Sequence, residues 1–379
     1  LTRRISAPTI HKALEQALLW LANTFVFATD IPAALARCNK LRKKAEPQGC
    51  YSFDLLGEAA ISHQVAAVYR CNYLQALEYL QEQLKNLRGD SDYSLSIKLS
   101  ALHPRYEALQ ENQLQRELIG TESAPGFLVQ LASAARAAAI PLTIDAEESD
   151  RLELSLNLLE ACMRHPLLHQ WDGMGVAVQA YSKRALPTLG WLNQLAQDLG
   201  IQLSVRLVKG AYWDSEIHWA QTAGLAGYPV FTDKSATDIS YLACAKFLLQ
   251  AAHLKPQFAT HNASTIISLL AMAAGKPFEF QRLQGMGETL YRQLLHEHPQ
   301  LRCRVYAPIG QHAELLPYLV RRLLENGANS SFVNQLNQKD CSLDALAQHP
   351  LLNPPTKFPT LNLPKDLFRD PRPEYSRIN

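Results

Sequence analysis

The sequence predicts an α/β fold, a (β/α)8 barrel, from three observations. Short alternating segments recur eight times from residue 51 onward, and helical patterns follow them. The glycine pairs of the chain also fail the pattern that an open dinucleotide-binding sheet needs. In Gly285-Met286-Gly287, Leu290 stands where that fingerprint wants its third glycine. Gly173-Met174-Gly175 precedes a strand instead of following one. At 379 residues the chain exceeds an ordinary domain, yet barrels of this kind commonly spend that much chain on one core.

Taken in order, residues 1–50 read as an N-terminal helical arm. Ile10, Leu14, Leu18, Leu21, Ile31, Leu35 and Leu41 fall at helical spacing, and Pro47-Gln48-Gly49 ends the pattern. The barrel follows over 51–334. Its strands are expected at 51–54, 95–99, 141–146, 175–179, 202–208, 257–261, 279–283 and 303–306, where apolar and polar residues alternate. Helices are expected at 150–164, 188–199, 238–252, 264–274 and 314–326. Beyond 334 the periodicity fades, and five prolines between Pro350 and Pro373 mark 335–379 as an irregular tail or linker.

Composition narrows the function classes. A formal charge of +2 gives no global drive toward nucleic acid or an anionic membrane. Seven cysteines are scattered with no Cys-x-x-Cys, which fits a reducing, cytoplasmic setting better than a disulfide framework or a zinc knuckle. The apolar stretch from Leu18 to Ala28 is interrupted by Asn23 and Thr24 and falls short of the ~20 residues a membrane span needs. The N-terminus has no signal-peptide layout. His296 and His298 are two apart, so they cannot share a helical face as a metal pair does, and no metal is expected.

Period two along the strands carries the chemistry. If Ile97, Leu99, Ile144, Val176, Val178, Val205, Phe258, Phe280 and Val305 face the helices, the intervening residues point inward. Near the C-terminal strand ends that inner set is Asp54, Lys98, Asp145, Gln179, Arg206, His261, Gln281 and Tyr306, at the end where barrel active sites lie. Buried charges need partners or a ligand, so Lys98, Asp145 and Arg206 predict a polar or ionic occupant. The densest stretch is 201–214, an alternating strand that runs into a Gly-hinged turn with Lys209, Tyr212 and Trp213. On the helix at 314–326, Tyr318, Arg321, Arg322 and Glu325 form a stripe. A solvated face with local ion pairs gives this pattern, and so does a carboxylate clamp of two guanidiniums. A cofactor-free lyase or aldolase using Lys98 or Lys209 as a Schiff-base amine is an open alternative at this point.

The stretches 96–106 (SIKLSALHPRY), 143–152 (TIDAEESDRL), 206–214 (RLVKGAYWD), 258–262 (FATHN), 284–288 (QGMGE), 306–310 (YAPIG) and 318–329 (YLVRRLLENGAN) closely resemble the FAD-dependent proline dehydrogenase family. The match is closest to the proline dehydrogenase domain of bacterial bifunctional proline utilization proteins, and it covers roughly 5 to 335 in the right order. The resemblance implies a distorted, TIM-like barrel with the last helix over its mouth and non-covalent FAD above the strand ends. It also implies oxidation of L-proline to Δ1-pyrroline-5-carboxylate by hydride transfer to flavin N5. By resemblance Arg206 sits at the N5 edge. Gln179, Lys209, Gly210, Ala211 and Trp213 surround the flavin, and Thr232, Lys234, His261, Asn262 and Glu325 make further FAD contacts. Lys98, Arg321 and Arg322 hold the proline carboxylate, while Asp145, Tyr212, Ala211, Leu283, Tyr306 and Tyr318 shape the pocket. The implied partners are a membrane quinone as electron acceptor and an aldehyde dehydrogenase domain, with the protein cytoplasmic and peripheral at the inner membrane face. A barrel that binds FAD or proline without turnover is the non-enzymatic alternative.

Overall fold

The computed structural model describes residues 24–43, 49–84, 92–310 and 361–367. Eight parallel strands close into one barrel in sequence order: β1 Cys50–Leu55, β2 Tyr93–Ile97, β3 Leu142–Ile144, β4 Met174–Gln179, β5 Leu203–Val208, β6 Leu254–Ala259, β7 Glu279–Leu283 and β8 Arg302–Ile309. Closure runs through β1 and β8, with Asp54 opposite Pro308 and Ser52 opposite Tyr306. All eight expected strands are present. The largest shift is in β6, which begins three residues early because Pro256, paired with Val205, disguises the alternation. His261 therefore lies two residues beyond its strand. Leu99 is not a strand residue either: β2 ends at Ile97, and Leu99–Leu102 forms a one-turn helix with Lys98 as its N-terminal flank.

The long helices are α1 Ile31–Lys43, α2 His63–Leu84, α3 Phe127–Ala137, α4 Leu152–Met163, α5 Ala185–Leu199, α6 Trp213–Ala223, α7 Lys234–Gln250, α8 Ala263–Ala273 and α9 Glu288–Glu297. Local chemistry fixes several ends. Asp233 caps α7 through Ser235 N–H at 2.7 Å, and Asn262 caps α8 through Thr265 N–H at 3.0 Å. The helix expected at 314–326 lies outside the described residues, as do the start of the arm and most of the tail.

The apolar core is the shell between barrel and helices. Phe53, Leu95, Ile97, Leu142, Ile144, Val205, Leu207, Phe258 and Phe280 are fully buried there, and Phe280 meets Tyr291 of α9 edge-on. The alternate residues fill the inside of the barrel and are polar or small: Ser52, Ser94, Ser96, Thr143, Gly175, Ala177 and Ser204 beside Arg206, Glu279, Gln281 and Arg304. A Cβ on Gly175 would meet Ser204 and Thr143 atoms at 3.1–3.2 Å. Small residues on one side of the barrel leave room for the long cations of the other.

Two segments outside the strands brace this shell. Phe27 N–H donates to Pro308 C=O at 2.8 Å, and Gly310 N–H to Ala28 C=O at 3.1 Å, which ties the N-terminal segment to the end of β8. Residues 361–367 dock near α6, with Tyr228 O–H donating to Asn362 C=O at 2.9 Å and Leu361 packed on Tyr181, Ile217, Ala220, Tyr228 and Val230.

Candidate active site at the barrel mouth

The C-terminal strand ends carry one connected polar cluster. Arg206, 3% exposed, projects inward from β5. Its Nη1 donates to Asp145 Oδ1 at 2.5 Å, its Nε to Gln281 Oε1 at 2.6 Å, and its Nη2 to Ser52 and Ser96 hydroxyls at 3.1 and 3.0 Å. Four of its five N–H groups are thereby engaged by described residues. Tyr306 donates to Asp145 Oδ2 at 2.6 Å and lies under the guanidinium, 5.1 Å from ring centre to Cζ. Lys98 Nζ donates to Asp54 Oδ1 at 2.9 Å and stands 3.9 Å from Asp145.

Electrostatics follow from this geometry. Burial opposes the charge of Lys98, but Asp54, Tyr306 and Asp145 outweigh it, so its pKa is raised well above the ordinary lysine value. Burial pushes Asp145 up from the usual carboxylate range against the pull of Arg206 and Lys98. Burial and Asp145 both push Tyr306 up, which keeps it a neutral donor. Two cations face two carboxylates, so the cluster neutralises itself. The anionic partner that Arg206 demands is the protein's own Asp145.

The turn after β5 forms a second group. Gly210 has φ +138°, and a Cβ there would lie 2.5 Å from the Tyr181 ring, so only glycine fits. Ala211 N–H donates to Gln179 Oε1 at 3.1 Å, and Trp213 Nε1 to Phe231 C=O at 2.9 Å. Lys209 and Lys234 share Asp238: Lys209 through one oxygen, Lys234 through the other at 2.9 Å. Two lysines on one carboxylate leave a net positive lip, suited to an anion such as a diphosphate. Tyr212 flanks the start of α6, and Thr232 precedes the α7 cap.

A third group bridges β6 and β7. Leu283 N–H donates to His261 Nε2 at 3.0 Å, which puts the imidazole proton on Nδ1. Asn262 spends its side-chain oxygen on the α8 cap. Lys98, Asp145, Arg206 and Tyr306 thus converge in one cluster, Gln179, Lys209, Gly210, Ala211, Trp213 and Lys234 gather at the β5 turn, and His261 and Leu283 pair beside them. Tyr318, Arg321, Arg322 and Glu325 lie outside the described residues.

Several residues of these groups escape a reading by motif. Ser52 and Ser96 occupy the same inward positions as Asp54 and Lys98, one repeat down each strand, and period two would have found them. Asp238 stands at i+4 from Lys234, the spacing of a helical ion pair. Glu147, next to Asp145 but one, accepts Ser100 N–H at 3.1 Å, while its backbone carbonyl accepts Gln179 Nε2 at 2.9 Å. It thereby joins the Lys98 segment to the β5 turn. Burial pushes its pKa up to about 6, against the Ser100 hydrogen bonds and Arg151.

A separate cluster, His63, His103 and Glu117, brings three metal-ligating atoms within 4.8 Å of one another. Its hydrogen bonds describe something else. His103 Nδ1 accepts Arg105 N–H at 3.0 Å, so the proton sits on Nε2 and is donated to Glu117 at 3.1 Å. A metal at Nε2 would need the opposite tautomer.

Comparison with known proteins adds a family to this geometry. The proline dehydrogenase family model matches residues 34–335. The chain is 44% identical over 381 residues to the bifunctional protein PutA of Escherichia coli, covering 95% of this chain and 28% of that protein. A crystal structure of proline utilization A from Bradyrhizobium japonicum superposes with a TM-score of 0.84 at 46% identity, covering 97% of this chain and 37% of that one. The proline utilization A of Bdellovibrio bacteriovorus, solved after inactivation by N-propargylglycine, gives 0.85 at 27% identity over 94% and 38%. The chain therefore spans between a quarter and two fifths of the length of these relatives.

Proposed function

The chain belongs to the proline dehydrogenase family, and from that premise we propose that it oxidises L-proline to Δ1-pyrroline-5-carboxylate with FAD as acceptor. The observation that carries the proposal is the self-neutralised Lys98–Asp54–Asp145–Arg206–Tyr306 cluster at the mouth of a barrel matched by that family. Bound FAD supplies a two-electron acceptor, at N5, for the hydride that leaves the ring carbon next to nitrogen. The residues fit that group. The lysine lip of Lys209 and Lys234 offers a seat for its diphosphate, and Gly210 lets the backbone approach closely. Gln179, Ala211, Trp213, Thr232, His261, Asn262 and Glu325 complete the cofactor set.

On this reading the protein's own residues position and neutralise. Tyr306 and Asp145 hold Arg206 still, so its charge is preorganised where negative charge accumulates. Because the Lys98–Arg206 charges are already balanced by Asp54 and Asp145, the proline carboxylate needs cations from elsewhere. Arg321 and Arg322 fill that need, with the free N–H groups of Lys98 as a third contact. Leu283, Tyr212, Tyr306 and Tyr318 enclose the apolar ring. The Schiff-base alternative loses ground at Lys98, whose flanking carboxylates keep it charged and non-nucleophilic.

The test is anaerobic addition of L-proline to the yellow FAD-loaded protein. Bleaching, blocked by N-propargylglycine, is the expected result. Retention of the flavin spectrum would reject proline oxidation and leave the non-catalytic binding module, and borohydride trapping of a lysine adduct would favour the lyase. For the clamp, Arg321→Met or Arg322→Met should weaken proline binding by about 1.5–3 kcal/mol while leaving FAD content unchanged. Equal KM in variants and parent would remove that role. The reading extends to a membrane quinone as electron acceptor and to an aldehyde dehydrogenase companion, in keeping with the bifunctional name of the Escherichia coli relative. The reading also keeps the enzyme in the cytoplasm, peripheral to the inner membrane face; among the described residues no helix is long and apolar enough to cross a membrane.

A further inference from the structure

The cluster at the mouth does not end at Gln281. Gln281, 2% exposed, accepts Arg206 Nε–H through Oε1 at 2.6 Å and donates from Nε2 to Glu279 Oε1 at 3.0 Å. Glu279 in turn is held by a two-pronged contact from Arg304, Nε to Oε1 at 2.9 Å and Nη2 to Oε2 at 3.0 Å. Arg304 Nη1 donates to the carbonyls of Tyr51 and Asp92 at 3.3 and 3.2 Å. A line of hydrogen bonds therefore runs from the N-terminal end of the barrel to Arg206.

Donor and acceptor types make this line directional. A guanidinium only donates and a carboxylate only accepts, so the amide between them has a single allowed orientation: oxygen toward Arg206, nitrogen toward Glu279. We infer that Glu279 and Gln281 are positioning residues for Arg206, with the Arg304-locked carboxylate of Glu279 fixing the amide of Gln281 and thereby the rotation of the guanidinium at the mouth. Burial opposes the charge of Glu279, but Arg304 outweighs it and holds the pKa below the usual range, so the acceptor persists through the working pH. A core filled for stability alone would use branched apolar side chains at these inward positions, and replacing buried ion pairs by such residues is often neutral or stabilising.

The inference rests on the proposed place of Arg206 beside the flavin, and the experiment separates the two. The FAD-loaded parent is compared with Glu279→Gln and Gln281→Met. Three quantities are read: the rate of flavin reduction by L-proline, the flavin midpoint potential, and hydrogen exchange at the Arg206 Nε–H, assigned by its loss in Arg206→Lys. Both variants are expected to keep FAD and the KM for proline, and to lose about tenfold or more in reduction rate. Their potential should fall by about 30 mV, a tenfold change for a two-electron couple. Nε–H exchange should quicken at least about tenfold in Glu279→Gln, which leaves the Arg206 acceptor in place but replaces an accept-only carboxylate with an amide that can also donate, so the orientation of Gln281 is no longer enforced.

If Glu279→Gln does not fold, Glu279→Gln with Arg304→Met leaves no uncompensated charge and takes its place. Lower melting temperature with unchanged rate, potential and Nε–H exchange would overturn the inference and leave the line as a structural filling. If the parent itself is not reduced by proline, the functional reading fails, and the exchange measurement alone decides whether Glu279 orients Arg206.

Discussion

Arg206 shows what a single inward position costs and what settles it. A guanidinium inside a barrel needs an acceptor for each N–H, and period two supplies them in layers: Ser52 and Ser96 below, Asp145 above and Gln281 at the side. Glu147 is the opposite case, a buried carboxylate whose charge is under-compensated. Its folded pKa of about 6 lies above the 4.5 of a free glutamate, so the folded state holds more protons between those values and stability falls as pH rises through that window. The accumulated cost is about 2 kcal/mol above pH 6. Glu147→Gln keeps an oxygen for Ser100 N–H and should become more stabilising, relative to the parent, from pH 4.5 to 7. Urea titrations at several pH values measure this; a pH-independent difference would mean that the carboxylate is not strained by burial.

At the scale of elements, the β5 strand and its turn do separate work. The strand aims Arg206 inward, while Gly210 folds the turn back against Tyr181. Gly210→Ala places a methyl where the Tyr181 ring lies and asks alanine for a φ that it rarely adopts. The expected loss is about 1–3 kcal/mol of stability, together with weaker FAD retention, read by thermal melts and by flavin-to-protein absorbance ratio. Unchanged retention would separate this turn from the cofactor. The strands were legible because each alternates, and the helices because their apolar faces repeat. The ends were less so. Pro256 hides the start of β6, and Leu99 continues the alternation of β2 although the chain has already turned into a helix.

At the scale of the whole molecule, Lys98, Asp54 and Asp145 join β1, β2 and β3 across the barrel mouth. Lys98→Met would leave Asp54, 1% exposed, without its cation, and should cost about 3–5 kcal/mol at pH 7. The orphaned carboxylates then prefer to be protonated in the folded state, so the deficit should shrink as pH falls toward 4, as followed by urea melts. A deficit that is flat with pH would show that the charges are compensated by other groups. The sequence by itself determined the number and order of the strands, the inward and outward faces of each, and hence the polar lining at the mouth, because period two and helical spacing are local properties of the chain. Only the tertiary structure decided who pairs with whom. That Arg206 takes Asp145, one residue past β3 and 61 residues away, and Gln281 of β7, 75 residues away, and that Glu279 and Arg304 stand behind them, depends on closure of the barrel. Closure sets distances between side chains that no periodicity along one strand encodes.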